Sequence, residues 1–222
     1  MPIRSVPIFF EIFYMPASTP ISRTKTAALS RILDSVPKGY VHYFSGSVPA
    51  LKVEALAKKM HEHYGIGCTP AQRVTRKKRG VANAVMVIYW PANAVRVEWL
   101  ILATEGVGLE GEKLQDVTSK TRLNWLGYEF VRHAARGRTS WTWRRPKAEM
   151  QNHFDMIAEL CNKHHYSALA MYLQTLANQP GFNGVREQTW RLFQDARRRG
   201  YEAELPFLFY LQKISHGDRM IL

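Results

Sequence analysis

Two short apolar runs, residues 83–90 and 95–103, constrain the fold more than any other feature of this 222-residue sequence. Residues 83–90 (NAVMVIYW) are apolar on both strand faces, which is typical of a central strand that is covered on each side. The second run alternates at its start, with Arg96 and Glu98 on one face. A Pro-Ala-Asn segment forms a tight connection, so the two runs are predicted to form a hairpin.

The predicted secondary structure changes from strands to helices near Pro146. Before it, residues 122–133 and 139–145 are predicted to form a second hairpin across a turn that contains Gly137. After it, apolar residues recur at intervals of three and four, which predicts helices; these cover residues 147–163, 166–178 and 183–199. The fold class is therefore predicted to be α+β. An antiparallel β meander with flanking helices is expected in residues 1–146, followed by a small C-terminal helical subdomain in residues 147–222.

Shorter patterns complete this prediction for the first region. Strands are expected at residues 7–15 and 39–44, and helices at 26–35 and 50–64. Residues 7–15 are interpreted as a strand, and not as a signal peptide, because Glu11 interrupts a run of β-forming residues. Further expectations are a loop at residues 16–25, a helix at 110–119, and an apolar tail at 204–222 that packs back on the sheet or the helices.

The charge of the chain is large and unevenly distributed. Lys and Arg number 31 against 18 Asp and Glu, which gives a net charge of +13. Residues 1–146 hold 22 of these bases and 10 of the acids, whereas residues 147–222 hold 9 and 8. A charge of this size indicates a polyanionic partner more than it constrains the fold. The asymmetry predicts a basic first region that meets the polyanion and a near-neutral second region that packs or contacts protein.

The densest basic cluster lies at residues 73–79. Five of its seven residues are cationic: Arg73, Arg76, Lys77, Lys78 and Arg79. The cluster follows Thr69-Pro70 and precedes an apolar strand, so it is predicted to be a loop or a frayed helix end. As a phosphate-binding element it would release condensed counterions, and binding would depend steeply on salt. A solvated loop without a partner is the alternative.

The second predicted hairpin combines aromatic and basic side chains. Trp141 and Trp143 share one strand face, as do Tyr128 and Phe130 on the neighbouring strand. The expected phosphate contacts around them are Arg132, Arg136, Arg138, Arg144 and Arg145. Aromatic residues interleaved with arginine are typical of surfaces that stack single-stranded bases. The alternative is that the aromatic side chains face a core, with the arginines exposed in either case.

Catalytic, metal-binding and cofactor signals are weak. His42 and His133 are the candidate general acids or bases, because each lies in a strand with basic and aromatic neighbours and histidine titrates near neutrality. The eight histidines and two cysteines show no metal-ligand spacing, so no metal site is expected. Phosphate-loop and dinucleotide motifs are missing as well, so no cofactor is expected.

The sequence favours a protein that binds DNA or RNA mainly through the phosphate backbone, either alone or as one subunit of a larger nucleoprotein complex. A metal-independent endoribonuclease or phosphodiesterase is the first alternative. The second is a basic interaction protein with an acidic protein partner. Protein subunits are expected to contact the helical region. No apolar run is long enough for a membrane span. The two isolated cysteines, Cys68 and Cys161, suit a reducing cytoplasm.

Overall fold

The computed structural model describes residues 18–135, 137–211 and 219–221. The predicted strand at residues 7–15 lies outside them. The strands are β1 Ser18–Ser22, β2 His42–Pro49, β3 Ala84–Tyr89, β4 Arg96–Ala103, β5 Gln115–Asp116, β6 Asn124–Trp125, β7 Tyr128–Ala135, β8 Arg138–Arg144 and β9 Arg219–Ile221. The helices are α1 Lys25–Ser35, α2 Val53–Tyr64, α3 Pro70–Lys78, α4 Lys147–Asn162, α5 Tyr166–Ala177 and α6 Asn183–Arg198. Among the described helices, none has the length and apolar character needed to cross a bilayer.

The predicted α+β class is confirmed, with a six-stranded sheet in the order β5-β2-β4-β3-β1-β9. The hairpin predicted from the two apolar runs is confirmed as β3 and β4, which pair antiparallel with Ile88 opposite Trp99. β1 lies parallel to β3, so the sheet is mixed and is not a simple meander. β9, near the end of the chain, adds to β1 at the edge of the sheet.

Both faces of this sheet are covered, as the apolar character of β3 requires. On one face Val85 and Val87 lie in a core with α1 and with a small three-stranded sheet, β6-β7-β8. On the other face Met86 and Ile88 lie in a core with side chains of α2. Alternate residues of one strand thus serve two separate cores.

Trp143 fixes the small sheet to the rest of the fold. Its side chain is fully buried, and its Nε1 donates a hydrogen bond of 2.9 Å to the carbonyl oxygen of Leu29 in α1. Phe130, directly opposite on β7, packs against it with ring centroids 4.7 Å apart. The hairpin face that carries these two rings therefore belongs to the core.

The helical region forms a third core, in which α4, α5 and α6 pack on one another. It is joined closely to the hairpin, because Phe182 and Val185 belong to the first core. Gly184 lets α6 approach β8: a Cβ atom at this position would lie 2.5 Å from the carbonyl oxygen of Trp143. The Gly184 N–H also donates a hydrogen bond to Thr142 Oγ1 at 3.1 Å.

Two local predictions are wrong. Residues 16–25 were expected to be a loop, yet residues 18–22 form β1, because pairing with β3 and β9 outweighs the low strand preference of Pro and Ser. Residues 110–119 were expected to be helical, yet they contain β5. The carboxylate of Asp116 accepts hydrogen bonds from the N–H and the hydroxyl of Thr118, which favours a turn over a helix.

Candidate nucleic-acid interface

The basic cluster at residues 73–79 lies mainly on a helix, α3, and the expected loop or frayed end is wrong. Thr69 begins the helix with a capping box, in which its hydroxyl accepts from the Gln72 N–H and the Gln72 side chain accepts from the Thr69 N–H. Pro70 occupies the first turn, where a missing N–H carries no cost. Strong capping thus offsets the repulsion among the cations that follow.

Arg73 and Arg76, one turn apart, share the inner side of α3 and fasten it to the fold. Arg73 donates to the carbonyl oxygens of Cys68 and Ile66 and to the hydroxyl of Tyr40, at 3.1 to 3.3 Å. Arg76 Nη2 donates to the carbonyl oxygens of Tyr64 and Ala82 at 3.3 and 2.8 Å. These two arginines therefore have a structural role whatever else they bind.

The remaining cations of the cluster, Lys77, Lys78 and Arg79, are exposed at the C-terminal end of α3. Within the described residues none of the three forms an ion pair with a carboxylate. Their position is favourable to the helix dipole, which stabilises positive charge at a helix C-terminus. We call Lys77, Lys78 and Arg79 the α3 patch.

The outer part of the β7–β8 hairpin carries a second basic and aromatic group. Trp141 is half-buried and stacks on Phe130, with ring centroids 4.9 Å apart and planes 4° from parallel. Arg132 is exposed, lies opposite Trp141 in the register and places its guanidinium 5.0 Å from the Trp141 ring centroid. This pair can offer a cation and part of an indole to a ligand.

Two candidates from the hairpin lie in the interior instead. Trp143 is fully buried in the core, so it does not belong to a stacking surface. The expectation that Arg145 is exposed is wrong, because its side chain is also fully buried. The guanidinium donates to Gln179 Oε1 at 2.8 Å, to Thr189 Oγ1 at 3.0 Å and to the Val185 carbonyl oxygen at 3.3 Å.

The other hairpin arginines differ in how much of their charge is available. Arg144 is half-buried, and its Nε and Nη2 both donate to Glu129 Oε2, at 3.1 and 3.0 Å. Arg138 is paired with Ala135 in the register at the end of the hairpin. Arg136 lies outside the described residues. Among the hairpin arginines whose side chains the structure describes, Arg132 is therefore the exposed one.

The two candidate histidines each meet a carboxylate. His42 Nε2 lies 2.8 Å from Glu105 Oε1, and Asp116 of β5 is its neighbour in the register. His133 Nδ1 lies 3.6 Å from Glu187 Oε2, a carboxylate that also pairs with Arg191. In the part of the chain that the structure describes, no group of three or more His, Cys, Asp or Glu is placed to hold a metal ion.

A groove beside the hairpin was missed at the sequence level. Residues 201–211 cross the surface near α6 and expose Phe207 and Tyr210, with Trp190 of α6 exposed on the same groove. The Arg186 guanidinium lies 3.5 Å from the Tyr210 ring centroid. The expectation that the apolar tail packs back is confirmed for Leu205, Leu208 and Leu211, which pack against the cores, whereas the rings of Phe207, Phe209 and Tyr210 are exposed.

Arg31 was also missed, since it stands alone among apolar neighbours in the sequence of α1. Burial, together with the nearby guanidinium groups of Arg73 and Arg219, lowers the pKa of Arg31 to about 10. Helical periodicity did not single it out, and only the tertiary fold brings α1, α3 and β9 together.

Comparison of the chain with known protein families, with curated proteins and with solved structures gave no match.

Proposed function

We propose that this protein binds nucleic acid through the phosphate backbone, with the α3 patch as the main contact. The observation that carries this proposal is the exposure of three adjacent cations on a well-capped helix, none of which has a carboxylate partner among the described residues. The hairpin pair Arg132 and Trp141 is the second contact zone. We place this activity in the cytoplasm, which suits the two free cysteines, Cys68 and Cys161.

The energetic argument rests on what happens to mobile counterions. Each lysine or arginine that meets a DNA phosphate displaces condensed cations, and the slope of log K against log salt changes by about 0.9 per contact. Adjacent like charges in water repel each other by about 1 kcal/mol at 4 Å. A polyanion removes this repulsion, whereas an isolated neutral ligand does not. A contact of this kind carries little sequence specificity.

The α3 patch can be tested with a charge-neutral triple variant, Lys77→Gln, Lys78→Gln and Arg79→Gln. We expect the affinity for a labelled 20-mer to fall by about tenfold or more at low salt, and the salt slope to fall by about three. Fluorescence anisotropy of single- and double-stranded DNA and RNA at several salt concentrations measures both quantities. The three side chains are exposed, so the melting temperature should stay within a few degrees.

A matched control removes three exposed charges from the helical region: Arg191→Gln, Arg198→Gln and Arg199→Gln. These arginines already pair with Glu187 or Asp195 within α6, so their loss should change the affinity less than the loss of the α3 patch. Equal losses in the two triple variants would show that only net charge matters. A wild-type affinity that does not respond to salt would contradict the proposal itself.

A second candidate function is supported by the pair of His42 and Glu105. A carboxylate that accepts a hydrogen bond from one ring nitrogen orients the imidazole and favours its role in proton transfer. In a metal-independent phosphodiesterase acting on RNA, His42 would take the proton of the attacking 2′-hydroxyl, whose oxygen bonds to phosphorus as the P–O5′ bond breaks. The departing 5′ oxygen would take a proton from water, and an arginine would stabilise the charged transition state. This function also requires a bound strand, so it builds on the α3 patch.

The catalytic alternative makes its own prediction. His42→Ala should lower the rate of RNA cleavage in the presence of EDTA by about 100-fold or more, with binding unchanged. His133→Ala is the matched control, because its contact with a carboxylate is longer, at 3.6 Å. Gel analysis of end-labelled RNA and DNA measures the rate. If the wild-type protein cleaves neither, the enzymatic function is removed and the binding function stands.

A further inference from the structure

The groove between α6 and residues 201–211 has an aromatic lining. Its volume is about 1140 Å³, comparable to that of a small-molecule site. Trp190 of α6 lines it together with Phe207 and Tyr210, and each of these residues has between 51% and 68% of its surface exposed. We call it the α6 groove. Its rings are open to solvent, so a flat ligand can stack on them.

Residues 201–211 are held in place, so the α6 groove is formed before a ligand binds. Leu205 and Leu208 pack on the third core, and Leu211 packs on the first. The Leu211 N–H donates a hydrogen bond of 3.2 Å to the Gly181 carbonyl oxygen. A Cβ atom at Gly181 would lie 2.6 Å from the carbonyl oxygen of Phe209, so this close approach requires glycine. A preformed site loses less conformational entropy on binding than one that must first be ordered.

Arg186 brings hydrogen-bond donors to the α6 groove. Its guanidinium lies 3.5 Å from the Tyr210 ring centroid, and its buried Nε has no hydrogen-bond partner among the described residues. No carboxylate of the described residues forms an ion pair with it. Arg186 as a whole is half-buried and lines the groove, so its other N–H groups can donate to a ligand. A planar guanidinium also stacks on flat rings, which extends the aromatic surface.

The charged groups of the α6 groove have both signs, which distinguishes it from the α3 patch. Glu187 lines the groove next to Arg186, and its carboxylate pairs with Arg191 and lies 3.6 Å from His133 Nδ1. Glu204 adds a second, exposed carboxylate. Both carboxylates would repel a phosphate group. A neutral flat ligand that donates and accepts hydrogen bonds suits this mixture, and a nucleobase is such a ligand.

We propose that the α6 groove binds an unpaired base of a single-stranded nucleic acid. Unpaired bases stack on aromatic side chains and guanidinium planes and form hydrogen bonds through their edges. Bases in a duplex are already paired and stacked, so the groove favours single strands. An extended protein segment also fits aromatic grooves, but the net charge of +13 attracts a polyanion. The proposal rests on nucleic-acid binding as proposed above and assigns the base, and not the backbone, to this groove.

Two labelled strands with the same phosphates separate base contacts from backbone contacts: an oligothymidine and an abasic strand of equal length. In fluorescence anisotropy at one salt concentration, the wild-type protein should bind the oligothymidine about tenfold more tightly, as expected for one stacked base. Trp190→Leu keeps an apolar side chain without the flat ring, so it should lose most of this ratio. Trp190→Phe should keep most of it. Trp190 is exposed, so both variants should fold.

Two controls separate the α6 groove from the other contacts. The effect of Trp190→Leu should be the same in a Trp141→Ala background, because Trp141 lies on the hairpin and does not line the groove. The triple variant of the α3 patch should weaken binding of both strands by the same factor and keep the ratio. Failure of backbone binding is thereby distinguishable from failure of the groove.

The outcomes that overturn the base site are specific. If the wild type binds both strands equally, or if the ratio survives Trp190→Leu, the base site is overturned and backbone binding stands. If the wild type binds neither strand, both proposals are overturned. Saturable quenching of tryptophan fluorescence by a decaproline peptide, lost in Trp190→Leu and found without a ratio between the two strands, would assign the groove to a protein partner instead.

Discussion

Replacing Trp143 with alanine is expected to destabilise the protein by about 3–5 kcal/mol. The substitution empties a fully buried indole site, removes the contact with Phe130 and leaves the Leu29 carbonyl oxygen without its side-chain donor. A natural domain is stable by only about 5–15 kcal/mol, so this loss is a large fraction of the total. We expect the melting temperature to fall by about 10 °C, as measured by calorimetry or circular dichroism.

Trp141→Ala is the matched control on the same strand face. Trp141 is half-buried and at the outer part of the hairpin, so its removal should cost about 1 kcal/mol. If the hairpin contacts bases, Trp141→Ala should also lower the affinity for single strands, since one stacked base contributes about 1–3 kcal/mol. A melting temperature for Trp143→Ala within 3 °C of the wild type would contradict the structural role of Trp143.

Trp143 also shows how far the sequence alone could be interpreted. The alternation in residues 139–145 predicted the strand, and the pairing of Phe130 with Trp143 confirms the hairpin. The same alternation says only that Trp141 and Trp143 share a face, and both a core and a stacking surface satisfy that pattern. The distinction depends on α1, whose Leu29 covers the inner end of the hairpin and leaves the outer end open.

The elements that were predicted well have strong local signals. The two apolar runs of β3 and β4, and the three-and-four spacing in α4, α5 and α6, reflect burial that repeats along the element. β1 and β5 are short and polar, and they exist because of partners distant in sequence. Local preference is weaker than tertiary pairing for such strands, so their absence from the prediction has a physical cause.

The basic residues also show that local sequence does not predict tertiary structure, because the positions of charges in the sequence do not indicate which charges are exposed. Arg73 and Arg76 were grouped with Lys77, Lys78 and Arg79 in the basic cluster, and Arg145 was grouped with the exposed arginines of the hairpin. In the fold Arg73, Arg76 and Arg145 serve as donors to internal acceptors. Conversely Arg31 belonged to no basic cluster in the sequence, yet burial together with Arg73 and Arg219 lowers its pKa in the folded chain. Arginine can anchor structure through its fork of donors, whereas the lysines of α3 stay in solvent.

The adjacent residues Arg144 and Arg145 offer the clearest separation of binding from stability. Arg145→Ala should destabilise the protein by about 3 kcal/mol or more, because it opens a cavity and leaves the Gln179 and Thr189 oxygens with fewer donors. Arg145→Lys should recover only part of this loss, since an ammonium cannot reach three separated acceptors as a guanidinium does. Urea unfolding at neutral pH measures both changes.

Arg144→Ala is expected to give the opposite result. Its ion pair with Glu129 is half-exposed, and pairs of this kind contribute about 1 kcal/mol or less. If the hairpin binds phosphate, Arg144→Ala should weaken nucleic-acid binding and reduce the salt slope by about one, whereas folded Arg145→Ala should bind as the wild type does. Anisotropy measured well below both melting temperatures separates the two effects. Weaker binding by Arg145→Ala at unchanged stability would show that this guanidinium reaches the ligand, and would contradict its interior role.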